Sequence, residues 1–224
     1  MGSQLLKMSP KIVKVDTNEA LRVGLKMAAD VISGGGAVAF PTESFYGLGV
    51  NATDEKAVRH LFAIKKRQSS QPILILIPTR DMLDQYVTRI PETAKRLIEQ
   101  FWPGGLTLVF EAGSDTPRSL TGGTGRIGIR ISSHPVATGL SMKAGLPITG
   151  TSANVSGEPA PTSVEQVVDS LRDTVDLILD GGVTQGGKGS TILDVTVDPP
   201  RILREGMVGG EDLKKFISIA KRVE

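Results

Sequence analysis

The sequence predicts a single α/β domain built on a twisted, mixed β-sheet flanked by helices. Strand-type and amphipathic segments alternate along the chain, and the alternation is too irregular for a simple doubly wound sheet. No linker-like shift in composition and no repeat of solenoid period divides the chain. At 224 residues, with 39% hydrophobic and 22% charged residues, the chain can bury roughly 70% of its unfolded surface in one core.

Lys11 to Val15 reads as a strand, and Asp16 or Thr17 can cap a helix from Asn18 to Ile32 whose Leu21, Leu25, Ala28 and Ile32 share a face. Ser33 to Gly36 ends it. Ala37 to Phe40 is a buried-type strand that runs into a loop, Pro41 to Gly49, and Asp54 then caps a helix ending at Lys65-Lys66-Arg67. Pro72 to Ile77 is a continuous apolar run, as expected of a strand covered on both faces. Short helices follow at Arg80 to Tyr86 and Glu92 to Phe101, then strands at Leu106 to Phe110 and Arg126 to Ile131. The Gly- and Thr-rich segment Thr121 to Gly125 reads as a mobile loop. Helices at Pro135 to Lys143 and Ser163 to Leu171 alternate with strands at Leu146 to Thr149 and Asp176 to Leu179. Thr191 to Val197 and Arg201 to Arg204 add strands, and Glu211 to Val223 closes the chain as an amphipathic helix.

The composition also limits the chemistry. Lys and Arg number 26 against 24 Asp and Glu, a net charge of +2, so any basic site is local. There is no cysteine and there are only two histidines, which removes thiol nucleophiles, thiolate zinc sites, iron–sulfur clusters and histidine-rich metal centres. No apolar run reaches membrane-spanning length, no leader-type segment opens the chain, and a cytoplasmic location is expected.

Two glycine motifs fail on context. Gly123 to Gly128 spells G-x-G-x-x-G but runs into a strand instead of opening a helix. Gly182 to Lys188 spells G-x-x-x-x-G-K, but Gly189 interrupts it before Ser190 and a strand follows where a P-loop needs a helix. Ser152 lacks the G-x-S-x-G elbow of a nucleophile and reads as a turn residue. His134, before Pro135, reads as a turn or helix-cap residue.

The cationic pattern is more informative. Alternation in Arg126-Ile127-Gly128-Ile129-Arg130-Ile131 puts Arg126, Gly128 and Arg130 on one face. With Gly128 leaving room, that face suits a bidentate hold on a carboxylate or phosphate; a solvated sheet face with two arginines fits the pattern as well. Lys65 and Arg67 stand at a helix C-terminus, where the dipole favours cations, and the polar turn Gln68 to Gln71 that follows suits phosphate capture. Arg204 can be a third arm of one site.

Taken together, these segments resemble the YrdC/Sua5 family of threonylcarbamoyl-AMP synthases. The carriers are Pro41 to Gly49, Lys65-Lys66-Arg67 with Gln71-Pro72, Phe101-Trp102-Pro103-Gly104, Arg130 with His134-Pro135, Thr151 to Gly157, and Gly189-Ser190-Thr191. The resemblance runs from about Thr17 to Gly206 in the family's order and is to its short single-domain type. It implies one YrdC-like domain over residues 1–224, with a core at 17–206, a C-terminal helix at 211–223 and a concave cationic cavity.

The implied reaction joins L-threonine, bicarbonate and ATP into threonylcarbamoyl-adenylate and pyrophosphate, for a tRNA threonylcarbamoyl transferase complex acting on adenosine 37. Matched motif to motif, Ser44, Arg130, Gly150 and Ser190 would bind threonine. Lys65 and Arg67 would hold phosphates and carry the catalytic charge, while Gln71, Arg126, Ser152 and Arg204 would complete the ATP pocket. Mg²⁺ would arrive with ATP, without direct protein ligands.

Two positions depart from the family pattern. Leu76 stands where many members have a histidine near the amino acid, and Ala160 replaces a serine on the nucleotide side. A lost polar contact removes about 1 kcal/mol. Other readings are an RNA-binding module, for which 6 Phe, 2 Tyr and 1 Trp offer few stacking platforms, and a nucleotide-binding paralogue without synthase activity. Double-stranded RNA binding by shape stays open. A hydrogenase-maturation type enzyme would carry cysteine-rich zinc fingers, and this chain has no cysteine.

Overall fold

A computed structural model describes residues 9–220. Among these residues, ten strands form one mixed sheet in the order β1-β8-β2-β3-β7-β4-β6-β5-β9-β10. They are β1 (Lys11–Lys14), β2 (Val38–Pro41), β3 (Tyr46–Gly49), β4 (Leu74–Leu76), β5 (Leu106–Glu111), β6 (Arg126–Arg130), β7 (Ile148–Ser152), β8 (Leu177–Asp180), β9 (Thr191–Asp194) and β10 (Arg201–Arg204). β1 and β2 each run parallel to β8, β4 to β6 and β5 to β9, whereas the β2–β3, β3–β7, β4–β7, β5–β6 and β9–β10 pairs are antiparallel. The helices are α1 (Asn18–Ser33), α2 (Glu55–Ile64), α3 (Glu92–Phe101), α4 (Arg118–Thr121), α5 (Pro135–Ala144), α6 (Val164–Leu171) and α7 (Gly210–Lys214), with 3-10 turns at Arg80–Gln85 and Arg172–Thr174.

Cap chemistry sets the helix starts. Thr17 accepts a hydrogen bond from the Ala20 amide, Asp54 from Lys56, and Ser163 from Gln166. His134 caps α5 through Nδ1, which accepts from the Val136 amide. Gly24 lets α1 lie close on the sheet, since a Cβ there would come within 2.7 Å of Val15.

Strand alternation sorts the side chains into two layers. One face carries Ala39, Leu48, Ile75, Ile127, Ile129 and Leu108 into a core shared with α2, α3 and α6. On the other face α1 and α5 pack over the β1, β8 and β2 end, where Val38, Leu177 and Leu179 form a second core. The rest of that face is lined by side chains of a large cavity.

The structure departs from the sequence reading at four places. Tyr46–Gly49, read as loop, is strand β3. Its glycines hide the strand signal, yet both are needed: a Cβ on Gly49 would come within 2.8 Å of the Phe40 ring, and one on Gly47 within 3.1 Å. β7 runs on through Thr151 and Ser152, so Ser152 ends a strand. A short helix, α4, precedes the glycine loop. The C-terminal helix is only Gly210–Lys214, because the chain then turns and the Ala220 amide bonds back to the Pro200 carbonyl. Residues 221–223 of the expected helix lie outside the described residues. Among the described residues no helix is long and apolar enough to cross a membrane.

Candidate active site

The open half of the sheet face forms a cavity of about 860 Å³. Its floor comes from alternate positions of the central strands, among them Gly47, Leu74, Leu76, Thr107, Gly128 and Gly150. Gly150 belongs there sterically, since a Cβ would meet the Leu74 side chain at 2.5 Å and Leu76 at 3.0 Å. Among the described residues, five cationic side chains, Arg67, Arg126, Arg130, Lys188 and Arg204, reach the wall, against the single acid Glu205. Burial pulls the pKa values of Arg67 and Arg204 down, and Arg130 adds to the effect on Arg204. Crowded, desolvated cations of this kind are stabilised by an anion.

Arg130 is the most constrained of them. It ends β6, is 8% exposed, and donates from Nη1 to Glu43 Oε2 at 3.0 Å and to the Gly104 carbonyl at 3.3 Å. Among the described residues its Nε is buried without a partner. A guanidinium with one edge occupied and Nε free can still take a carboxylate along the Nε edge.

Glu43 sits in the β2–β3 turn, which is closed by the Thr42 amide and hydroxyl donating to the Phe45 carbonyl. Its Oε1 accepts from Ser132 Oγ (2.8 Å), the Ser133 amide (2.5 Å) and Ser133 Oγ (3.0 Å). Burial pushes the Glu43 carboxyl up, but Arg130 together with these donors outweighs burial and holds it at about 2. Folded Glu43 thus releases its proton below the ordinary value of 4.5, so its stabilisation is complete above pH 4.5 and is lost as pH falls towards 2. The contribution is on the order of 3 kcal/mol. Urea melts at about pH 6 and pH 3 will show this loss in the native chain, and a smaller one in Glu43→Gln.

Ser190 and Arg204 form a second cluster. Ser190 Oγ lies 2.8 Å from Thr107 Oγ1, and Arg204 Nε and Nη2 both donate to the Ser190 carbonyl, at 3.2 and 2.8 Å. Arg126 reaches across to fully buried Asp194 at 3.0 Å. Arg67 donates from Nη2 to the Pro72 carbonyl at 2.8 Å and keeps its buried Nε unpaired.

The structure thus brings Ser44, Arg67, Arg126, Arg130, Gly150, Ser152, Ser190 and Arg204 to one cavity, with Leu76 in its floor and Ala160 in its lining. Lys65 and Gln71 are not brought there. Gln71 is exposed outside the lining. Lys65 is 2% exposed behind the wall, and its Nζ donates to the Ser152 and Asn154 carbonyls at 2.5 and 2.7 Å. Burial, with Arg67 adding repulsion, lowers its pKa to about 8. Lys66 has φ 48, a left-handed turn that separates buried Lys65 from Arg67. Sequence reasoning did not single out Glu43 or Asp194 as partners of the two arginines, nor Lys188 as part of the wall. An acid inside the Pro41 to Gly49 segment was a visible signal for Glu43; for Asp194 there was none, because its partner lies 68 residues away.

A family model described as Sua5/YciO/YrdC, "Telomere recombination", matches residues 30–206. The chain is 41% identical over 193 residues to threonylcarbamoyl-AMP synthase of Pyrococcus abyssi, covering 86% of this chain and 57% of that protein. It is 39% identical over 195 residues to threonylcarbamoyl-AMP synthase of Bacillus subtilis, covering 86% and 56%. It therefore spans a little over half the length of these two relatives. The crystal structure of Pyrococcus abyssi Sua5 complexed with L-threonine superposes with a TM-score of 0.87 at 38% identity, over 94% of this chain and 62% of that one. The matched segment contains the β2–β3 turn, both clusters of the cavity and the strands that carry them, and the chain belongs to the Sua5/YciO/YrdC family.

Proposed function

We propose that this chain is a threonylcarbamoyl-adenylate synthase, a nucleotidyltransferase that converts L-threonine, bicarbonate and ATP into threonylcarbamoyl-AMP and pyrophosphate. The observation that carries this reading is the pairing, within one cavity, of a buried arginine with a free Nε and a set of further cations. One anchor suits an amino-acid carboxylate; the other cations suit a triphosphate. Kinship with two synthases of this name, and with a Sua5 structure holding L-threonine, supports the same substrates.

In this scheme Arg130 holds the threonine carboxylate, with Ser44, Ser190 and the Gly150 backbone around the rest of the amino acid. The threonine amine takes up the carbon of bicarbonate as a carbamate, with loss of water. A carbamate oxygen then bonds to the α-phosphorus of ATP as the bond to the β-phosphate oxygen breaks, and pyrophosphate leaves. No protein nucleophile is needed, so the chain's part is positioning and charge neutralisation. Arg67 and Arg204 hold the phosphates of the nucleotide, Arg126 and Ser152 contact the rest of it, and Lys65 supports the Ser152 to Asn154 turn from behind. Among the described residues no group of three or more His, Cys, Asp or Glu is placed to hold a metal ion, and the lining donors, cations and hydroxyls, fit a metal carried on the ATP phosphates. Mg²⁺ bound in this way would neutralise phosphate charge. The adenylate would pass to a transferase complex that modifies tRNA.

Incubation with L-threonine, ATP and ¹³C-bicarbonate, read by mass spectrometry, tests the reading. The expected product is an AMP adduct carrying one ¹³C. Bound ATP without any adduct would favour a nucleotide-binding paralogue instead.

A further inference from the structure

We propose that Glu43 is the residue that sorts the two anionic substrates: by pairing with Arg130 it reserves that arginine for a monoanionic carboxylate and keeps polyphosphate off it. This rests on the reading of Arg130 as the carboxylate anchor. The cations of the cavity fall into two kinds. Arg126 and Arg130 each arrive with a buried carboxylate of their own, Asp194 and Glu43, at 3.0 Å. Among the described residues Arg67, Lys188 and Arg204 have no ion-pair partner.

The contrast matters most at Arg130, because Arg130 and Arg204 lie close enough for one to depress the other's pKa. Two neighbouring guanidiniums without a counter-charge would make a good phosphate site. Glu43 removes that possibility. Its Oε2 takes the Nη1 of Arg130, while Ser132 and the Ser133 amide and hydroxyl fix Oε1 so that the carboxylate cannot swing away. At 10% exposure for Glu43 and 9% for Arg130, little water screens the pair. The pair is neutral overall, and among the described residues the edge left open is that of Nε, buried without a partner, and Nη2, since both hydrogen bonds of the guanidinium leave from Nη1. A single carboxylate fits that edge and leaves the group with one net negative charge; a pyrophosphate or triphosphate would set several negative charges beside Glu43. Polyphosphate is thereby directed to Arg67, Lys188 and Arg204, and the carbamate and the α-phosphorus meet between the two sets. Glu43 is a positioning residue, since it acts on substrate through Arg130.

Titration calorimetry with L-threonine, in the absence and presence of saturating inorganic pyrophosphate, tests this on the native chain, Glu43→Gln and Glu43→Asp. In the native chain and in Glu43→Asp the apparent threonine Kd is expected to be the same with and without pyrophosphate. In Glu43→Gln pyrophosphate should compete, raising the apparent Kd about tenfold or more. Competition in the native chain would overturn the proposal whether or not the variants fold. So would a Glu43→Gln protein in which threonine and pyrophosphate weaken together without competing, which is the mark of a purely structural role. If the native chain binds no threonine, the proposed function fails, and pyrophosphate alone decides the sorting: one pyrophosphate on the native chain and two on Glu43→Gln, the second lost in Glu43→Gln/Arg130→Ala, supports it, whereas equal numbers overturn it.

Discussion

Arg130→Ala is expected to abolish threonine-dependent turnover and to destabilise the fold at the same time. The substitution removes the proposed carboxylate anchor, and it leaves Glu43 buried with its charge unpaired. Breaking a buried pair from one side costs about 3–5 kcal/mol, which exceeds what Ser132 and Ser133 can return to Glu43. Amino-acid affinity should fall by about a hundredfold or more, as truncation of a desolvated charge partner does in other complexes. The double variant Arg130→Ala/Glu43→Gln separates the two effects: stability should recover in large part, and threonine binding should not. Urea melts and threonine titrations on the three proteins measure both. Threonine affinity that survives in the single variant would remove Arg130 from the site.

Lys65→Met is expected to act mainly on stability, in contrast to Arg67→Ala. The Lys65 ammonium ties the Ser152 and Asn154 carbonyls to the end of α2, and the Lys65 carbonyl accepts from the Ser156 amide. Methionine fills much of the volume but supplies no donor, so two carbonyls lose a charged partner in a buried setting. Each such loss costs about 1–3 kcal/mol, and the turn that presents Ser152 to the cavity loosens with it. ATP affinity should drop together with the melting temperature. Arg67 is half-buried at the cavity wall with Nε unpaired, so Arg67→Ala should weaken ATP binding while melting close to the native chain. A Lys65→Met protein with native stability and lost ATP binding would place the ammonium on the phosphates instead.

The pattern of what was legible in the sequence follows from the range of the forces involved. Strand alternation is local, and it placed Arg126, Gly128 and Arg130 on one face, where the structure has them lining the cavity while Ile127 and Ile129 are fully buried. The helix starts at Thr17, Asp54 and Ser163 are equally local, being set by side-chain caps. β3 was hidden because its glycines serve the Phe40 ring, a contact across strands that leaves no strand-type residue in the sequence. The pairing of Arg130 with Glu43 spans 87 positions and that of Lys65 with Ser152 also 87, distances at which no periodicity operates. The C-terminal helix failed for a related reason: its amphipathic pattern was real, but Leu213 and Ile217 reach the core from a five-residue helix and the turns after it. Residue chemistry could be read singly; which residues meet was set by the sheet order.

The most direct measurement is pyrophosphate release from ATP by the purified protein, with L-threonine, bicarbonate and ATP omitted in turn and L-serine offered in place of threonine. Release that needs all three substrates and matches the adenylate formed mole for mole is the expected result. Release that continues at full rate without threonine or without bicarbonate would contradict a cavity that joins an amino-acid carbamate to a nucleotide.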